Sequence, residues 1–377
     1  MSTDQHPQHP LPPAERLDWL RLIRSENVGP ITFTRLMERY GSAAQALAAL
    51  PDLARRGGRG RPIVIATRTA AERELAACAR IGARLVAKVE PGYPAALRML
   101  DDAPPLLCVR GDVGLLNRPA VAIVGARNAS ANGRRLARDL ARALGEAGFV
   151  VVSGMARGID TSAHQGALAS GTVCVLAGGV DVVYPPENQS LYEEAVSHGT
   201  VVAEMPIGTV PQASYFPRRN RLISGVSLGV VVVEATLRSG SLITARLALE
   251  QGREIFAVPG SPLDPRCNGP NDLIRQGATL VETAEDILRV LDNMLRRPLA
   301  ERKRADFLAP PPSVNEDAEA ERALALVVEA MGASPVTVDE IIRQCQLSPS
   351  VMSMALLELE LAGRLERHPG NRVSLLQ

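Results

Sequence analysis

A doubly wound α/β sheet, preceded by a small helical unit and followed by a winged-helix unit, is the architecture this sequence predicts. Three observations carry it. From Val121 to about Asp292, short apolar runs rich in β-branched residues alternate with segments of helical periodicity. Several of those runs end in loops of glycine and polar residues, namely GARNAS, SGMARGID, AGGVDVVYPPEN, EATLRSGS and PGSPLD. Loops of this kind follow the carboxyl ends of strands, where open α/β sheets bind their ligands. A proline-rich, charged stretch then separates this region from a last segment of different pattern.

The opening unit is VAIVGARNASANG, Val121–Gly133. VAIV reads as a buried strand, Gly125 as its turn, and Asn132 as a cap for the helical run that follows. Further strands are expected at Phe149–Val152, Val173–Leu176, Thr200–Ala203, Val230–Val233 and Ile255–Val258. Upstream, Ala70–Ile81 reads as a helix, with strands at Arg84–Val89 and Leu106–Val109 extending the sheet. Met1–Pro13 reads as unstructured. Glu15–Leu50 reads as amphipathic helices joined at NVGP, a turn that packs helices or lends its amides to a DNA phosphate; the packing role is preferred. RRGGRGRP, Arg55–Pro62, reads as a basic linker. At the other end come helices at Glu321–Met331, Thr337–Gln344 and Ser350–Ala362, and two short strands around Pro369-Gly370. The expected domains are therefore 14–66, 70–296 and 318–377, with a linker at 297–317.

Composition narrows the function. A chain of 377 residues, 46% of them hydrophobic, supports two or three domains. The net charge of +1 gives no global attraction to nucleic acid or anionic lipid, so any polyanion site is a local patch. The five cysteines (78, 108, 174, 267 and 345) are scattered, odd in number and never form CxxC, which argues against a disulfide framework or a zinc site. With a start unlike a signal peptide and no apolar run of membrane-spanning length, a soluble cytoplasmic protein without a metal or cofactor is expected. GARNAS places Arg127 where a dinucleotide fingerprint needs its second glycine, and Ser153 stands where the acid belongs. There is no GK[ST] for a P-loop.

The loops indicate a phosphate site instead. Arg127 lies beside an expected helix N-terminus, where amides and partial positive charge face an anion. Gly178 and Gly179 offer further amides, and Tyr184 either stacks on a base or packs its loop. The densest signal is SYFPRRNRLISG: Phe216 beside Arg218, Arg219 and Arg221 supplies cations for phosphates and a π-face for bases. Helix polarity brings Arg218 and Arg221 together and turns Arg219 away, so Arg219 is expected to be structural, paired with Glu204 or Glu234 on strands that are candidate neighbours. Asp160 and His164, with Ser153 nearby, suggest a hydrolytic set. An N-cap aspartate bonded to a first-turn histidine explains the pair without chemistry and is preferred. Asn188 reads as a helix cap. Asn268, Gly269 and Asn271 either close the pocket or only shape a turn. The expected DNA-contacting set is Arg127, Ser130, Asn132, Gly133, Ser153, Gly154, Gly178, Gly179, Phe216, Arg218, Asn220, Arg221, Ser239 and Ser241, with Asp160, His164, Glu204, Arg219 and Glu234 as supports.

In order, VAIVGAR, SGMARGIDTSAH, YPPEN, FPRRNRLISG, EATLRSGSLITA, REIFAVPG and NGPNDLI resemble the DNA-processing protein A (DprA, or Smf) family over about Asp101–Asp292. The outer segments are similar to that family's SAM-like helical and winged-helix domains. The resemblance implies a Rossmann-like, non-enzymatic homodimer, paired largely through the Rossmann-like domain. It further implies binding and protection of incoming single-stranded DNA in natural transformation, and loading of RecA recombinase. It places the Arg127 loop and FPRRNR in the positive pocket. Ala126 departs from a serine common in the family, and Pro186 and Ala213 from lysines that some members carry, which shifts the weight onto Arg127, Arg218 and Arg221. The third helix of the last domain, SPSVMSMALLELELA, carries no Arg, Lys, Asn or Gln and two glutamates, so it is expected to contact protein or to be plainly structural rather than to read a groove. The rival is a Rossmann-like nucleotide-binding enzyme similar to phosphoribohydrolases. The PGGxGTxxE loop expected of such an enzyme is not reproduced here.

Overall fold

The computed structural model describes residues 10–296, 316–368 and 370–376. The expected unstructured start and the 297–317 linker lie largely outside them. The described residues form two compact units. One takes those of Arg73–Leu299 with residues 10 and 11, and the other combines those of Pro12–Glu72 and Ala300–Gln377.

The chain opens with α1 (Pro13–Arg24), α2 (Pro30–Tyr40) and α3 (Ala43–Arg56). Pro30 starts α2, where its missing N–H costs nothing, and Ser42 caps α3 by accepting from the Gln45 amide. Trp19 and Phe33 pack edge-on, ring centroids 4.9 Å apart. Then follow α4 (Arg68–Arg80), β1 (Ala83–Ala87), α5 (Ala95–Arg98), β2 (Leu106–Gly111), β3 (Ala120–Val124), α6 (Ala131–Glu146), β4 (Val150–Ser153), α7 (Ile159–Ala167) and β5 (Thr172–Leu176). The central domain continues through α8 (Gln189–His198), β6 (Thr200–Ala203), α9 (Tyr215–Gly225), β7 (Gly229–Val232), α10 (Gly240–Glu250), β8 (Glu254–Ala257), α11 (Asn268–Arg275), β9 (Thr279–Leu280) and α12 (Ala284–Arg296). The last elements are α13 (Glu316–Ala330), β10 (Val336–Thr337), α14 (Val338–Cys345), α15 (Pro349–Leu361), β11 (Leu365–His368) and β12 (Arg372–Leu375).

The nine-stranded sheet runs β1-β2-β6-β5-β4-β3-β7-β8-β9. The strands from β6 to β9 are parallel; β1 and β2 are antiparallel additions. Strand alternation builds both cores. Ala120, Ala122 and Val124 of β3 join Leu222 and Ala245 on one face, whereas Val121 and Ile123 join Leu140 and Ile287 on the other. From β3 the chain winds outward through β4, β5 and β6, then returns to β3's other side as β7. A crevice therefore opens at the carboxyl ends of β3 and β7.

The glycine-rich stretch after α3 is not a free linker. Arg56 lies 3.2 Å from the Glu358 carboxylate, which is almost wholly buried. Arg364 donates to the Gly57 carbonyl, and Asn27 of the NVGP turn donates to the Leu361 carbonyl at 3.1 Å. A side chain at Gly57 would collide with the Glu358 backbone, so this position has room only for glycine. Composition resembled a linker because close backbone packing and flexibility call for the same residue. The third winged-helix helix, α15, thus lies against α3 and α2.

Candidate nucleic-acid site

The β3–α6 loop is organised by a cap and a carboxylate. Ser130, not the expected Asn132, caps α6 by accepting from the Gly133 amide at 2.9 Å. Ser130 donates its own N–H (2.8 Å) and hydroxyl (2.5 Å) to Glu234, just past β7. Glu234 therefore ties together the two loops that flank the switch point. Gly133 faces the Glu234 carboxylate, where a β-carbon would stand 2.6 Å from it.

A cavity of about 460 Å³ sits in the crevice, lined by Arg127, Asn128, Asp160, Phe216, Asn220, Thr236, Ser239, Ser241 and Thr244 among others. Arg127 is exposed, and its guanidinium stands 5.3 Å from the Phe216 ring centroid. The Tyr184 ring is 5.7 Å from Phe216, tilted and half exposed. A cationic group backed by adjoining aromatic faces, above a floor of amide and hydroxyl groups, can hold a phosphate and stack a base. Ser239 and Ser241 bond to each other at 2.6 Å where α10 begins.

Beneath the cavity lies a buried polar layer. Arg219 donates to the carbonyls of Gly154 (2.6 Å) and Val175 (2.5 Å). Burial pushes the Arg219 guanidinium down to about 10, against the pull of Asp160. Asp160 accepts from the Gly154 and Ala156 amides, and burial raises its carboxyl despite the nearby Arg219 charge. His164 bonds the Thr172 hydroxyl at 2.8 Å, and burial, with the Arg219 charge behind it, pushes it down to about 3. Burial likewise pushes the Cys174 thiol far up. This layer supports the loops and contains no poised nucleophile.

Several expectations change. Arg221 is buried, paired through one guanidinium nitrogen with both Glu204 oxygens at 2.6 and 2.7 Å and bonded to the Asp102 carbonyl, so it does not face the cavity. Arg219 pairs with neither Glu204 nor Glu234; it turns to backbone carbonyls. Glu204 and Glu234 are not on neighbouring strands, because β5, β4 and β3 separate β6 from β7. Asp160 and His164 bond to different partners rather than to each other, and α7 is capped at Gly158. Ser153 is buried and gives its hydroxyl to the Ile123 carbonyl. The Gly154 amide is taken by Asp160. Gly178 and Gly179 are buried, and the Gly179 amide bonds the Thr209 carbonyl, so that amide is not offered to a phosphate. Asn188 precedes α8 but sends its side chain to the Met155 carbonyl and Thr161. Gly269 bonds the Ala235 carbonyl and Asn271 bonds Gly260, so this segment shapes the β7 and β8 loops.

The cavity collects Arg127, Phe216, Asn220, Ser239 and Ser241 from the expected contact set. Arg218 is exposed one helical step away, and Asn132 and Gly133 lie beyond the loop. Asn128, Thr236 and Thr244 were missed. The signal for the threonines was their place in EATLRSGSLITA, the loop that follows β7. Among the described residues no group of His, Cys, Asp and Glu could hold a metal ion, and no helix is long and apolar enough to cross a membrane.

Comparison with known proteins matches residues 84–292 to the family model described as DNA recombination-mediator protein A, 13–77 to a DprA-like N-terminal HHH domain and 309–371 to a DprA winged helix domain. Protein Smf of Escherichia coli K12 is 39% identical over 287 residues, 75% of each chain. The DNA processing protein DprA of Bacillus subtilis is 44% identical over 222 residues, 58% of this chain and 75% of the relative. The X-ray structure of DprA from Streptococcus pneumoniae superposes with a TM-score of 0.60 at 35% identity, covering 72% of this chain and 95% of that one. A Helicobacter pylori DprA structure, described by its single-stranded DNA binding mode, gives 0.52 at 30% identity over 56% of this chain and 96% of that one. By sequence, domain order and fold, this chain belongs to the DNA recombination-mediator protein A (DprA/Smf) family.

Proposed function

We propose that this protein binds single-stranded DNA at the β3/β7 crevice without catalysis, protects it, and helps load RecA recombinase on it, working in the cytoplasm as a homodimer. The observation that carries the reading is the Arg127–Phe216 pairing over a hydroxyl-lined cavity at the switch point. Cation and ring together serve any sequence, since phosphates and base faces are common to all of them. The relative from Helicobacter, described by its single-stranded DNA binding, supports the choice of ligand. Non-enzymatic action is supported by the buried layer, whose histidine is held neutral and whose Arg219 and Asp160 are held by backbone groups. The homodimer through the central domain, like the protection of the bound strand, rests on family membership. So does the RecA role.

The test is fluorescence anisotropy with single- and double-stranded oligonucleotides of several sequences over a salt series, beside a nucleotide-release assay with nucleoside monophosphates. Single-strand preference, weak sequence dependence and a blank release assay are expected. Preference for duplex, or release of base, would overturn the reading.

A further inference from the structure

We propose that the single strand leaving the first cavity crosses the start of α6 and places a further nucleotide in a second cavity on the opposite face of the sheet, with Arg135 as its phosphate ligand. This rests on the single-strand reading above. The second cavity, about 580 Å³, is lined by Asn132, Arg135, Leu136, Val258 and Cys267 and by the carboxylates Asp139 and Glu234. The β3–α6 loop lines the first cavity with Arg127 and Asn128, and the first turn of α6, directly after it, lines the second with Asn132 and Gly133. Val124 and Ile223 of the first cavity belong to one core, and Leu136, Val233 and Val258 of the second belong to the other. A strand passing over the carboxyl ends of β3 and β7 therefore reaches both without crossing another element of the sheet.

The residues suit a nucleotide. Leu136, Val258 and Pro259 give apolar walls for a base face, and Asn132 is exposed with an amide that both donates and accepts. Arg135 is exposed and has no ion pair among the described residues. Asp139, one turn further along the helix, could have neutralised it but is 2.9 Å from Arg142 instead. Arg135 also stands near the N-terminal end of α6, whose partial positive charge disfavours a cation and favours a phosphate. Of the two carboxylates, Glu234 accepts hydrogen bonds from Ser130 and Asp139 is paired with Arg142, so neither holds Arg135. An exposed cation without an ion pair, at the unfavourable end of a helix and beside a nucleotide-sized cavity, is a local departure of the kind found at binding positions.

Cys267 in the cavity wall supplies the readout. Cys78, Cys108 and Cys174 are buried, whereas Cys267 and Cys345 are partly exposed, the latter in the winged-helix domain. Full-length protein is alkylated with and without oligothymidylate, either about 4 or about 16 nucleotides long. Cys267 should be protected by the long oligonucleotide in proportion to the fraction bound and left reactive by the short one, with Cys345 unchanged by either. Arg135→Ala should lower the single-strand salt slope by roughly 0.7 for the long oligonucleotide and leave it unchanged for the short one. Arg135→Lys should restore that slope. If the long strand binds but Cys267 stays reactive and Arg135→Ala keeps the wild-type slope, the second subsite is wrong and the first stands. If wild type binds no single strand at all, the underlying reading fails and takes this one with it.

Discussion

Two arginines of similar appearance in the sequence should respond oppositely to removal. Arg127 is exposed, stacked near Phe216, and has no ion pair among the described residues. Arg127→Ala should therefore remove about one phosphate contact, lowering the slope of log affinity against log salt by roughly 0.7 for a single strand. At low salt the loss should be about 1–3 kcal/mol, the worth of a charged hydrogen bond, or roughly 5- to 150-fold in Kd. The fold loses only a surface cation–π contact of about 0.5–1 kcal/mol, so the melting temperature should shift little. Arg127→Lys should recover the slope but only part of the affinity, lacking the planar fork. Arg221, about 10% exposed in its side chain, holds Glu204, which is 11% exposed. Arg221→Ala strips a largely buried carboxylate of its charged partner, a change costing about 3–5 kcal/mol in buried pairs. For a domain of this size that is a fall of roughly 6–20 °C in Tm. Anisotropy across a salt series and calorimetric melts on both variants decide the matter. If Arg221→Ala flattens the salt dependence while its melt is unchanged, the two roles are reversed and the crevice has been assigned the wrong arginine.

Other predictions concern the buried layer and the outer domains. His164, held at about 3 against an ordinary 6.5, contributes stability that is complete above pH 6.5 and lost as pH falls towards 3. At about 1.4 kcal/mol per pH unit over the 1.5 units down to pH 5, the loss is roughly 2 kcal/mol, and denaturant melts should show His164→Gln escaping it. Asp160 acts with the opposite sign: its raised carboxyl contributes stability in acid that is lost as pH rises through its folded pKa, so the His164→Gln profile should expose that slope. Gly154→Ala would set a β-carbon 2.7 Å from the Arg219 guanidinium carbon and should cost about 1–3 kcal/mol in a melt. Arg56→Ala should destabilise the unit formed by the two outer domains by about 2–4 kcal/mol, read as a lowered calorimetric transition, because Glu358 is 1% exposed.

The parallel strands were legible because each is a short run of β-branched residues with a glycine-rich exit, and only strand ends moved by a residue or two. The two-residue β9 was not legible, since nothing in ATLVET distinguishes it from a turn. The arginines of FPRRNR show the limit most clearly. Helical angles separate Arg219 from its neighbours, but they do not say which direction faces solvent. That depended on Glu204 arriving from β6, and strand order is set by packing across the sheet rather than by local pattern. Gly179 misled for a related reason: a glycine amide left free and one closed by a distant carbonyl, here Thr209, read alike in one dimension.

The contact between the NVGP turn and α15 spans 334 residues of sequence. A ribosome adding about 5–20 residues per second needs roughly 15–70 s to deliver the second partner after the first. Through that interval α2 and α3 wait with the surface meant for α15 uncovered, while the whole nine-stranded sheet is made and folded between them. The outer unit is thus the last to be completed although its first helices are the first to emerge. A ribosome stalled within the final 60 or so residues would release a chain with a finished crevice and an unfinished outer unit.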